Sequence, residues 1–460
     1  MRFSESRFGV GVVEKVRELA LDPDVLVPAV FRCECFWGKL GAMAEQIATT
    51  TRPVPSWHGA DPTAPAYLED PYPVYRRIRE QHPVSLTPDG VWRLTRYDDC
   101  LRMLRLTGAG MRRTDGTLPG QTREAADAEE RGQFMLLTDP PKHTRLRKLV
   151  SKAFTPRAIE TWRPRIEAVT DELLDRVEKR GEMDLIADLA LPVPATLICE
   201  MLGVPVSDRD TFTEWTADVT HGLALRRGNA PPGLVERVEK ARNGLVGYFN
   251  ELIQARRGQV GDDLLGALIA AEEEGDRLSP AELLVQSIGL LVAGFETTIG
   301  LIGNGLTTLI RNPDEIARLR AEPELIESAV EECLRYSGPI TWTVRILHEP
   351  AAFGGYEFDV NEEVAVGLAA ANRDPELFAD PERFDIARFA TTPAPPPHLS
   401  FGGGAHVCLG AHLARLESQV AIGSLVQRFT DFEFIEPKTT WGRSLFRVPA
   451  RVPVKLRAIA

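Results

Sequence analysis

Apolar residues recur at helical spacing through most of the chain from Ala64 to Ala460, so helices are the dominant predicted element. Leu413, Leu416, Val420 and Leu425 share one face and predict a helix that opens just after Cys408. The longest apolar pattern runs from Pro280 to Arg311. Ser279 precedes it, Pro280 takes the first helical position and Glu282 follows the cap by three, the signature of a capping box. At 1.5 Å per residue that helix spans roughly 50 Å, enough to cross a whole molecule. Strand-like runs at Gly90–Thr95, Ala351–Phe358 and Glu363–Gly367 predict a small sheet region, giving a mainly α fold with a minor β part. Thr107–Gly132 and Arg226–Gly233 lack regular patterning and are predicted loops, of the kind that form lids or binding segments or simply cover a surface. Before Ala64 there is one helical stretch, Val12–Leu21, and a linker-like run, Thr49–Pro55.

Composition narrows the class. The 460 residues carry 43% hydrophobic and 26% charged side chains, ordinary for a globular protein, and a net charge of -12 argues against a general binder of nucleic acid or anionic membranes. Six cysteines are scattered without a disulfide-like framework, which fits a reducing cytoplasm. The most membrane-like segment, Leu283–Gly303, contains Gln286, Ser287 and Glu296 and reads better as a buried core helix. Val25–Phe31 is too short to span a bilayer and contains Pro28, so no transmembrane anchor is expected.

The chemistry centres on Cys408, flanked by Gly402, Gly403, Gly404 and Gly410 and delivered to the start of a predicted helix. Unpaired N–H groups at a helix amino end favour a thiolate, the form of cysteine that ligates metal, and glycines let a flat cofactor approach the backbone. A lone cysteine is more often a small buried hydrophobe. The pattern Phe-x-x-Gly-x-x-x-Cys-x-Gly, with Phe401, Gly404, Cys408 and Gly410, resembles the haem-ligand loop of the cytochrome P-450 superfamily, and His406 lies inside it. The resemblance implies the mainly helical fold of that family, haem b, and Cys408 as the axial iron ligand.

Further motifs resemble the same family in the same order. Ala293-Gly294-Phe295-Glu296-Thr297-Thr298 resembles its oxygen-activation motif, implying that Thr297 hydrogen-bonds the oxygen being activated and that Glu296 helps deliver protons. Alone, this stretch is equally an ordinary buried helix with one satisfied carboxylate. Glu332 and Arg335 lie three apart on one helical face, a common surface pair, and with Arg383 they match a buried structural clamp. His143 and Arg147, one turn apart, together with Arg345 and His398, match residues that hold the haem propionates. Ile340, Thr341 and Trp342, with Phe295 and Thr298, are the implied pocket residues.

By resemblance, residues 61–460 form a bacterial-type haem-thiolate monooxygenase domain and residues 1–60 are an extension of unknown role. The reaction implied is insertion of one atom of O2 into a lipophilic small molecule by hydroxylation or epoxidation, in secondary or lipid metabolism. Because the chain runs only to Ala460 after Cys408, electrons are expected from a separate ferredoxin and its NAD(P)H-dependent reductase. Arg145, Lys148 and Lys152 are candidates for steering that partner, or else a solvated helix face. Two other classes stay open on the residues alone: a peroxide-dependent or phenol-coupling haem-thiolate oxidase, and a non-catalytic haem-binding sensor.

Overall fold

The computed structural model describes residues 65–129, 132–223, 233–258, 263–273, 278–442 and 446–459. The Val12–Leu21 helix, the Thr49–Pro55 linker and most of the Arg226–Gly233 loop lie outside these. Helices dominate the rest, as their apolar periodicity requires.

The Pro280–Arg311 helix is the axis of the main core. Its capping box is formed: the Glu282 N–H donates to Ser279 Oγ at 3.2 Å and the Ser279 N–H donates to Glu282 Oε2 at 2.9 Å. Arg145 also pairs with Glu282 and so ties a second helix, Lys142–Ser151, to this end. Helices Pro192–Met201, Arg209–Leu223, Leu234–Arg256, Ile326–Ser337 and Ala411–Arg428 pack around the axis. Close crossing needs missing side chains. A Cβ at Gly300 would stand 2.6 Å from Pro339 Cβ, so only glycine lets that segment lie against the helix. The helix is long and apolar enough to cross a membrane by composition, but most of its side chains are buried in this core.

A five-stranded mixed sheet flanks the helices in the order Val84–Leu86, Trp92–Leu94, Glu363–Val366, Thr343–Leu347, Ala109–Gly110. Trp92 pairs with Val364 in parallel, while Arg345 opposes Val364 in antiparallel register. The three strand-like runs of the sequence are strands, with Ala351–Phe358 a hairpin that turns at Gly354-Gly355. Thr343–Leu347 was not anticipated, nor was the antiparallel sheet of Glu182–Asp184, Phe429–Phe434 and Pro453–Ala458. Thr107–Gly132 is mostly loop, but contains the short Ala109–Gly110 strand and the Arg123–Glu129 helix.

Helix Ile326–Ser337 is held by a charge clamp. Arg335 donates from Nε to Glu332 Oε2 at 2.6 Å and from Nη2 to Oε1 at 2.8 Å, with both side chains fully buried. The expected third charge, Arg383, is corrected: it contributes only its main-chain carbonyl, which accepts from Arg335 Nη2 at 3.2 Å. The cation that reaches Glu332 is Arg388, whose Nε lies 3.2 Å from Oε1. A tight turn at Arg388–Ala390 brings that side chain back to the helix.

Candidate functional site

The Cys408 loop is pinned at its ends. The Cys408 N–H donates to the Phe401 carbonyl at 2.8 Å, and the Gly402 N–H to the Leu399 carbonyl at 2.8 Å. Gly404 sits at φ +65°, and a Cβ there would fall 2.1 Å from the Leu104 carbonyl oxygen, so a larger residue would force the loop apart. The following helix begins at Ala411, with Gly410 at its cap, three residues later than the sulfur. Among the described cysteines only Cys408 is exposed, and Cys100, Cys199 and Cys333 are buried.

The Cys408 residue is exposed, yet protein atoms crowd around its sulfur. Burial pushes its thiol up, and the Gly410 N–H, Arg147 and Arg415 oppose that shift without overcoming it. A bound cation would add to these groups in favouring the thiolate.

A cluster of basic groups gathers beside this loop. The His143 and His406 rings lie 4.1 Å apart between centroids. Arg147 Nη2 donates to the Val407 carbonyl at 2.7 Å. Arg345 is buried and donates to the Val344 carbonyl at 2.8 Å, and it approaches Met111 Sδ at 3.6 Å. Burial acts on all four, and repulsion by basic neighbours acts on the two histidines. His143 is lowered by burial and by Arg147 and Arg345, His406 is driven down to about 3 by burial, His143, Arg345 and Arg147, and burial lowers Arg345 to about 10. Asp139 is the one carboxylate that acts on His143 and Arg345, and it stands 3.9 Å from His406 Nε2. Four basic side chains facing one acid form a receptor for an anion with more than one carboxylate.

Most side chains of the central helix are buried, but Ala293 is exposed, and Val292, Gly294, Glu296 and Thr297 near it are partly so. Thr297 Oγ1 donates to the Ala293 carbonyl at 2.9 Å, and Thr298 Oγ1 to the Gly294 carbonyl at 3.1 Å. A Cβ at Gly294 would meet nothing nearer than Ile198 Cδ1 at 3.8 Å, and one at Gly410 would meet nothing within 4 Å. Protein packing does not require glycine at either place. An accessible cysteine, small residues bordering open space and an unbalanced basic cluster all fit a flat, dianionic, metal-bearing group such as haem.

Several expectations are corrected. Phe295 and Thr298 are buried in the core, because the helix presents Ala293 and Thr297 on one face and turns these two away. Ile340, Thr341 and Trp342 are partly exposed, and Trp342 packs edge-on against Tyr75 at 5.8 Å and under Arg93 at 5.7 Å. Ile340 packs against the sheet cluster, and the Thr341 carbonyl accepts from the Ala369 N–H at 3.2 Å. His398 is engaged by Glu331, at 3.2 Å from Nε2 to Oε2, rather than by the basic cluster.

Sequence reasoning missed Asp139, which accepts from the Met111 and Arg112 N–H groups at 2.8 and 3.0 Å and so anchors the loop beside the cluster. It also missed Glu417. That carboxyl is fully buried beside Thr298 and pushed up to about 8 by burial, so at neutral pH it is largely a neutral acid. The available signal was a glutamate following Leu416 on the apolar face of its helix.

An accessible cysteine on a glycine loop, a basic cluster beside that loop and a long central helix with small residues exposed at its middle together suit a haem-thiolate centre in a mainly helical enzyme. The description "Cytochrome P450" belongs to the family model that matches residues 119–441, and the chain is a member of that family. Among its relatives, Cytochrome P450 107B1 of Saccharopolyspora erythraea is 45% identical over 377 residues, covering 80% of this chain and 89% of the relative. Cytochrome P450 monooxygenase PikC of Streptomyces venezuelae is 41% identical, covering 79% and 85%. The solved structure of P450BioI in complex with a fatty-acid-ligated acyl carrier protein is similar with a TM-score of 0.77 and 34% identity, covering 85% of this chain and 99% of that one. The protein is thus a cytochrome P450 monooxygenase, an oxidoreductase whose cofactor is haem.

Proposed function

We propose that this enzyme inserts one atom of O2 into a lipophilic small molecule, by hydroxylation or epoxidation, in secondary or lipid metabolism. Haem b is the form of cofactor proposed; Cys408 would hold its iron, and Phe401, Gly404, His406 and Gly410 would shape the loop around it. The observation that carries this reading is the exposed Ala293, with Gly294, Glu296 and Thr297 partly exposed beside it, midway along a helix most of whose side chains are buried. Relatives support the substrate class: curated names among them include a vitamin D(3) 25-hydroxylase of Pseudonocardia autotrophica and a polyketide biosynthesis cytochrome P450 of Bacillus subtilis.

Haem supplies electron transfer and O2 chemistry that no side chain possesses. The chain's own residues do the rest. His143, Arg147, Arg345 and His406 hold the carboxylates and gain the counter-charge that they lack among themselves. Ala293 and Gly294 leave room for a small molecule against the helix. The Thr297 hydroxyl, bonded to the Ala293 carbonyl, holds a proton at Oγ1 on the accessible face, and Glu296 on the preceding residue supplies it from the solvent side. Electrons come from a ferredoxin and its NAD(P)H-dependent reductase, and the protein is proposed to be cytoplasmic. Residues 61–460 form the catalytic domain, with 1–60 an extension of unknown role.

The test is a visible-spectrum titration of the purified enzyme with polyketide, terpenoid, steroid and fatty-acid candidates. A saturable spin-state shift for one scaffold, followed by an oxygenated product with NADPH, ferredoxin and reductase, is the expected result. Turnover with peroxide alone, and none with the ferredoxin system, would contradict it.

A further inference from the structure

Three polar side chains outside the carboxylate cradle converge behind Phe401, the residue whose carbonyl holds the Cys408 N–H. Arg415, on the helix that follows the cysteine, donates from Nε and Nη2 to the two oxygens of Glu331 at 2.6 and 2.9 Å. Glu331 Oε2 also receives His398 Nε2 at 3.2 Å. His398 Nδ1 accepts from the Ser400 N–H at 3.2 Å, so the imidazole proton sits on Nε2 and points at Glu331. The Arg415 guanidinium lies over the Phe401 ring, with Cζ 4.6 Å from its centroid, and the His398 ring meets the same ring at 5.9 Å. A bidentate, stacked arginine is rigid, unlike a solvated surface cation.

The trio sits where charge matters. Arg415 acts on the Cys408 sulfur in the sense that favours its anionic form. Burial alone would raise Glu331, but Arg415 and His398 hold it down at about 2, so it is a carboxylate at neutral pH. A cation that acts on the sulfur is thus held by a carboxylate through two hydrogen bonds.

We propose that Arg415 and Glu331 are a positioning pair that brace Phe401 and set the electrostatic potential at the Cys408 sulfur, Arg415 supplying positive charge and Glu331 cancelling most of it. This rests on the reading of Cys408 as the axial ligand. Reducing ferric haem adds one electron, so positive charge beside the sulfur favours the ferrous form and negative charge opposes it. Removing Arg415 leaves Glu331 uncompensated, and neutralising Glu331 leaves Arg415 uncompensated. The two changes must move the ferric/ferrous midpoint in opposite directions.

The experiment is a dithionite spectroelectrochemical titration of substrate-free holoenzyme, without redox partner, for the parent, Arg415→Gln, Glu331→Gln and Arg415→Lys. The midpoint is expected to fall in Arg415→Gln, to rise in Glu331→Gln and to stay near the parent in Arg415→Lys, which keeps the charge. A brace with no electrostatic role would loosen Phe401 in both neutral variants and shift them the same way. Shifts of equal sign, or none in either, overturn the proposal. If Arg415→Gln takes up no haem, Glu331→Gln decides alone: a fall or no change overturns it. Failure of the ligand reading is separate, because a thiolate-type ferrous–CO spectrum would then persist in Cys408→Ser.

Discussion

Thr297, on the central helix, and Glu417, beside Thr298, answer to different environments. Thr297 is partly exposed, and its hydroxyl donates to the Ala293 carbonyl. Thr297→Ala is expected to keep consuming NADPH while product per NADPH falls by about tenfold or more, measured by parallel cofactor and product assays. Coupling equal to the parent would remove Thr297 from the proton path. Glu417 is governed by burial. Its ordinary value is 4.5 and its folded value about 8, so the folded chain binds the extra proton between these limits. Its contribution to stability is full below the lower value and declines as pH rises to the upper one, by at most about 1.4 kcal/mol per pH unit. Glu417→Gln should flatten that decline in urea unfolding measured at a series of pH values, and an unchanged slope would contradict the assignment.

At the scale of elements, the clamp on helix Ile326–Ser337 separates what local spacing reveals from what tertiary placement decides. Glu332 and Arg335 are legible because three residues on a helix put two side chains on one face. Arg388 was not, since its approach depends on a turn that no periodicity marks, while Arg383 reads as the partner only by its place in a motif. Glu332→Ala strands Arg335 in the core and should cost about 3–5 kcal/mol. Arg388→Ala should destabilise clearly and Arg383→Ala hardly at all, by chemical denaturation; the reverse order would restore the original assignment. Helix phase has the same limit. The Ala293–Thr298 stretch was recognised, yet which of its side chains stay exposed was not, because Phe295 and Thr298 turn inward only once neighbouring helices are packed. Strand Thr343–Leu347 escaped notice because both of its faces are covered and it carries Arg345, so no alternation shows. His398 was misassigned because Glu331, which claims it, is distant in sequence.

At the scale of the molecule, the fold was readable because separate motifs at wide spacing agreed with a single architecture, and helical periodicity agreed with both. Three members of the basic cradle, His143, Arg147 and Arg345, were readable, whereas His406 in place of His398 and the acid that tempers the cluster were not. Truncation to begin at residue 61 is expected to leave haem content, thermal midpoint and turnover unchanged. Loss of any of these would give the extension a role. The central claim is that Cys408 carries the haem. Its most direct test is the ferrous–CO spectrum of the purified parent and of Cys408→Ser prepared side by side. A thiolate-type band in the parent that disappears from a folded variant is the predicted result. A parent without haem, or a variant that keeps the thiolate band, would contradict the account.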